Sequence, residues 1–216
     1  GHRAETLTQI RLHLLEFAVS HSLDELLRET LDQVCALVNS PVGFYHFVEP
    51  DQRTLSLQAW STRTLRDFCT AAGEGLHYSV DQAGVWADAV RTRAPIIHND
   101  YAALPARKGM PAGHAEVVRE LIVPILRQEK VVAILGVGNK PADYSAEDVA
   151  LVTYLADVAW EIVDRKRAEE TFVKTEQMYR MAITGAGGVP YQRNYGDESY
   201  AFLGEAFAAL TGYPAS

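Results

Sequence analysis

The chain has 216 residues, 48% of them apolar, which is enough material for one sizeable core and a further piece. A formal charge of -8 excludes a surface that grips nucleic acid through its phosphates, because that task needs a basic face. Two cysteines, Cys35 and Cys69, make neither a disulfide framework nor a zinc pattern, and no apolar run approaches the roughly 20 residues that cross a bilayer.

In chain order, Leu7, Ile10, Leu14 and Phe17 recur at three and four residues, so residues 1–20 read as a helix with one narrow apolar stripe. Ser22 and Glu25 have the spacing of a capping box and start a second helix at Leu23. Its inward face is Leu26, Leu27, Leu31, Val34 and Val38, and Asn39-Ser40-Pro41 stops it. Residues 42–49 and 54–60 form a hairpin turned by Pro50-Asp51-Gln52. A short helix over 64–71, Gly73-Glu74-Gly75, a brief strand over 76–80, a helix over 84–93 and a short buried strand over 95–98 follow. Periodicity then disappears from Asn99 to His114, a length that suits a lid or binding loop. Two apolar strands at 117–126 and 131–137 come next, and Ser145 with Asp148 makes another capping box.

That box launches a very long helix. Leu151, Leu155, Val158, Ile162, Arg165, Glu169, Phe172, Glu176, Tyr179 and Ile183 alternate spacings of four and three, the repeat of a left-handed coiled coil. Arg165, Glu169 and Glu176 interrupt the apolar seam. Polar seam residues weaken association while fixing register, which suits a rod that shifts between two packings. The competing reading leaves Arg165 and Glu169 solvated outside a bent helix. Gly185, Gly187 and Gly188 end the helix, and a strand pair over 189–195 and 200–203 precedes a last helix near 205–210. Four segments result: an N-terminal dimer helix (1–20), a core domain (21–147), a linker helix (148–184) and the start of another domain (185–216).

The run Gly138-Asn139-Lys140, followed by Tyr144 and Asp148, resembles a motif of GAF domains written Asn-Lys, a gap, Phe, three residues, Asp-Glu. Tyr144 replaces the Phe and Val149 stands where Glu is expected. Trp60-Ser61, Ala83-Gly84-Val85-Trp86, Asn99-Asp100-Tyr101, Pro111-Ala112-Gly113-His114 and Val123-Pro124-Ile125 are similar to the GAF branch of bacterial sensor kinases, over about residues 5–165. Residues 164–170 resemble the linkers of those proteins. Tyr191, Tyr200, Phe202, Gly204-Glu205 and Leu210-Thr211-Gly212-Tyr213 resemble the opening of a PAS domain. The resemblance implies an α+β fold: a six-stranded antiparallel sheet, helices on one face, a ligand pocket on the other, and a long C-terminal signalling helix. It further implies a parallel homodimer through the first and last helices. The role implied is a non-enzymatic sensor in a cytoplasmic segment, compatible with a membrane anchor elsewhere, that passes its signal to a PAS domain and a histidine kinase or diguanylate cyclase.

Where the resemblance places a pocket wall, Asn99, Asp100, Tyr101 and His114 supply donors and acceptors, with Trp60 and Trp86 as apolar floor. Arg107 and Lys108 would favour an anionic ligand. Structural roles compete for each residue: Asn99 and Asp100 as turn caps, the tryptophans as core, His114 bonded to a loop carbonyl. The ligand and any cofactor are unspecified. Haem through His98 or His114, a metal held by His98, Asp100 and His114, and a purely structural dimerisation domain with no ligand are the alternatives. Asn139 is expected to tie a turn, and Lys140 to pair with Asp148 at an exposed site.

Overall fold

A computed structural model describes residues 2–68, 78–79, 84–105, 116–204 and 206–213. Contacts divide the chain into two compact units, Gly1–Lys166 and Arg167–Ser216. In the first, strands β1 (Val42–Val48), β2 (Thr54–Trp60), β3 (Tyr78–Ser79), β4 (Ile96–His98), β5 (Glu120–Arg127) and β6 (Lys130–Gly138) make one sheet in the order β3-β2-β1-β6-β5-β4. Every neighbouring pair is antiparallel.

Helices α1 (His2–Ser20), α2 (Leu23–Leu37) and α4 (Ala146–Gly185) supply the larger core cluster on one face of this sheet. The α2 boundary follows its side chains. Ser22 Oγ accepts the Glu25 N–H while a Glu25 carboxylate oxygen accepts the Ser22 N–H at 2.8 Å, and Asn39 leaves the helix at φ 50°. Tyr45 and Phe47 of β1, Leu121 and Val123 of β5 and Leu135 and Val137 of β6 meet Leu27, Leu31, Val152 and Leu155 there. The opposite face carries a smaller cluster with α3 (Asp88–Thr92): Val48, Leu55, Ala89, Val90, Ile122 and Ile134. The three long helices thus share a face as expected, and only the short α3 lies on the other. Strand β4 is half-buried along its length rather than fully buried, in keeping with its place at the sheet edge. The short helix expected over 64–71 is a π-turn at Thr64–Phe68.

The long helix divides its apolar residues. Leu155 and Ile162 of the heptad set are buried with Val152, Ala159 and Val163 in the domain's own core, and Trp160 meets the Phe47 ring edge-on at 5.9 Å. That stretch of the repeat serves the sheet. Phe172 and Tyr179, later in the same register, are exposed.

In the second unit, α4 closes in a Schellman turn. Gly187 takes φ +77°, the Gly187 N–H donates to Thr184 and the Gly188 N–H donates to the Ile183 carbonyl at 2.8 Å. Strands β7 (Tyr191–Arg193) and β8 (Tyr200–Leu203) pair antiparallel, and α5 (Phe207–Thr211) follows. Within this unit the Arg180 guanidinium lies 3.7 Å above the Phe202 ring.

One contact in the sheet tolerates no side chain. A Cβ built at Gly136 would lie 2.2 Å from two carbons of the Phe44 ring. We expect Gly136→Ala to destabilise the chain by about 1–3 kcal/mol in chemical denaturation, and adding Phe44→Leu to recover part of the loss.

Candidate functional site

Strand pairing places side chains in rows on the sheet face away from the long helices. Trp60, Phe44, Gly136, Ile122 and Ile96 form one row across five strands. Because Gly136 has no side chain, the Phe44 ring can lie against β6, with the Trp60 ring centroid 6.0 Å away. The next row holds Gly138, Glu120 and His98, and His98 Nδ1 sits 2.8 Å from Glu120 Oε1. On the other side of the aromatic row, His46 pairs with Gln58 and Ile134. His46 is 1% exposed, and burial pushes its imidazole down to about 3, so it is neutral at working pH. This face offers an aromatic floor with a carboxylate–imidazole pair at one edge.

Of the residues expected to line a pocket, Trp60 stands on this floor. Trp86 lies in a 3-10 turn, Val85–Ala87, and its side chain is outside the described residues, as are His114, Arg107 and Lys108. Asn99 faces the opposite way: its Oδ1 accepts the Tyr144 N–H at 2.8 Å and its Nδ2 donates to the Tyr144 carbonyl at 3.1 Å. Both amide functions are thereby used on the framework. Asp100 is exposed and caps the turn Tyr101–Ala103 by accepting the Ala103 N–H. Tyr101 is buried, and its N–H donates to the Val118 carbonyl. Sequence reasoning missed Phe44, His46 and Glu120. A histidine inside the apolar run 42–48 and an acid opening the apolar strand β5 were the available signals.

A second polar cluster joins the sheet end to α4. Asn139, at φ 62°, accepts the Val118 N–H and donates to the Glu116 carbonyl at 2.7 Å. The Tyr144 hydroxyl is 2.7 Å from Ser40 Oγ, and burial drives its pKa up to about 12. Arg119 donates to the Lys140 carbonyl. Lys140 Nζ donates to both Asp148 oxygens at 2.8 and 2.7 Å, and Asp148 also accepts the Ser145 N–H. Asp148 is 5% exposed, so the pair expected at the surface is largely interior. Burial alone raises the Asp148 pKa, but the bonds from Lys140 and Ser145 outweigh it and hold the carboxyl below its usual value.

A family model described as the GAF domain matches residues 20–164. The chain is 33% identical over 171 residues to a "Methyl sulfide methyltransferase-associated sensor" of Methanosarcina acetivorans, covering 79% of this chain. It spans 16% of that relative's length. The fold is similar to the GAF domain of an Acinetobacter phosphoenolpyruvate-protein phosphotransferase, with TM-score 0.62, 17% identity, and coverage of 78% of this chain and 96% of that one. It is also similar to the free methionine-R-sulfoxide reductase of Neisseria meningitidis, with TM-score 0.55, 13% identity, and coverage of 76% and 91%.

Two measurements check the electrostatics. Lys140→Met strands a buried carboxylate and is expected to cost about 3 kcal/mol at neutral pH, read by denaturant titration. The contribution of the pair is present above the ordinary carboxylate value and is lost as pH falls through the depressed one. His46 acts at higher pH. Unfolded, it takes up a proton near its ordinary 6.5, whereas the folded imidazole does so only near 3, so stability falls with acid across that window. His46→Leu should flatten the decline between about pH 6 and about pH 4, where the native slope approaches about 1.4 kcal/mol per unit.

Proposed function

The chain belongs to the GAF domain family, and from that premise we propose that it is a non-catalytic sensory module. A small molecule held on the sheet face away from the long helices biases the end of the sheet, and α4 carries that bias to a PAS domain and an effector, a histidine kinase or a diguanylate cyclase. The resemblance to a named sensor supports a sensory or regulatory role. The observation that carries the reading is the polar cluster in which Lys140 at the sheet end and Asp148 in the first turn of α4 form one bonded unit. A helix seated this way cannot shift at its start without moving the sheet.

Against redox catalysis of the kind named for the Neisseria neighbour stands the chemistry of Cys35. It is buried, and burial pushes its thiol up to about 12, so the reactive thiolate does not form there. Cys69 lies outside the described residues. The aromatic floor and the His98–Glu120 edge suit a ligand with a flat apolar body and a polar rim. Trp60 is a site residue in this reading, joined by Phe44 and His98, whereas Asn99 and Asp100 spend their side chains on the framework.

Transmission requires a parallel homodimer. Leu12 and Val19, seven residues apart on α1, are 55% and 81% exposed, and Tyr154 of α4 is 47% exposed. The exposed apolar pair on α1 supports pairing with a second copy, and Phe172 and Tyr179 are exposed heptad positions of the long helix that a partner helix would cover.

Sedimentation of the native chain should therefore report a dimer, and Leu12→Glu with Val19→Glu a folded monomer. A monomeric native chain would defeat the proposal. In the full-length protein, Arg165→Leu with Glu169→Leu should tighten the dimer and blunt the output. Output equal to that of the native protein would remove the rod as transmitter.

A further inference from the structure

The end of β4 sends successive residues to opposite sides of the sheet, as the pleat requires. Ile96 and His98 belong to the face away from the long helices: Ile96 packs on the smaller core, and His98 meets Glu120 at 2.8 Å. Ile97 and Asn99 belong to the helix side. Ile97 packs on the larger core, and the Asn99 amide grips both backbone groups of Tyr144. Tyr144 immediately precedes Ser145, whose hydroxyl accepts the Asp148 N–H and whose carbonyl accepts the Val149 N–H at 3.1 Å. One peptide step, His98 to Asn99, therefore touches the polar edge of the face away from the long helices and the residue next to the helix cap.

We propose that this step is a lever: a displacement at His98 reaches the start of α4 through Asn99, a positioning residue. For the origin of the displacement the inference rests on the sensory reading above. The linkage itself is a property of the chain and can be measured without a ligand. A side-chain amide suits the task. Its donor and acceptor fix both the position and the direction of the Tyr144 backbone, so a tilt of residue 99 cannot be absorbed by rotation about a single bond. Asn139 provides a control of identical chemistry, because its two side-chain bonds run to Val118 and Glu116 and not to the helix start.

The test is native-state hydrogen exchange on the whole 216-residue chain, read at the amides of Tyr144, Asp148 and Val149. Glu120→Gln weakens the bond to His98 while keeping the side-chain shape. It should change exchange at those amides by about threefold or more, although Glu120 lies on the opposite face. Asn99→Ala should raise their basal exchange by about tenfold and abolish the further response to Glu120→Gln. Asn139→Ala should leave that response in place. If Asn99→Ala does not fold, Asn99→Asp, which keeps the acceptor and loses the donor, substitutes for it. No response at the three amides, or one of equal size with and without Asn99, overturns the lever. A lever that passes while no small molecule is found to alter dimer or output leaves this inference standing and removes the ligand reading alone.

Discussion

The architecture depends on a buried carboxylate. Asp148 sits in the first turn of α4 with Lys140 on both oxygens and the Ser145 N–H on one of them. An interior charge is tolerated only when its bonds are complete. The requirement reaches outward, because each partner is itself held. Arg119 fixes the Lys140 carbonyl, Asn139 fixes the strand entry beside Arg119, and Tyr144 is clamped by Asn99 and anchored to Ser40. Segments far apart in sequence thereby meet at one point, and that point is where the long helix begins.

Much of this was legible in the residues. Ser22 with Glu25, and Ser145 with Asp148, announce helix starts through local chemistry that involves no distant partner, and both are found as capping boxes. The hairpin at 42–60 and the paired strands at 117–137 follow from apolar runs and the turns between them, to within a few residues. What stayed hidden depends on register. Nothing local tells that His98 lies opposite Glu120, or that Gly136 clears room for Phe44, because those facts arise from pairing between distant strands. Asn99 is instructive: its polarity suggests a ligand contact, but the pleat turns it to the helix side and onto a backbone.

The heptad shows the opposite difficulty. A seven-residue repeat says that one stripe of a helix is covered, not by what. Leu155 and Ile162 are covered by the sheet of their own domain, whereas Phe172 and Tyr179 are exposed. The same periodic pattern thus spans two kinds of environment along a single helix. On the face away from the long helices, His46 illustrates how burial keeps a titratable ring neutral, so that the floor around Phe44 and Trp60 stays apolar despite its histidine.

The glycine-rich close of α4 has a mechanical corollary. Gly188 reaches back to Ile183 while Gly187 holds its left-handed backbone, and only two residues separate this closed turn from β7. A frayed terminus would leave the last turn free to unwind; here two backbone bonds and one left-handed glycine fix where the helix stops and the direction in which the chain departs.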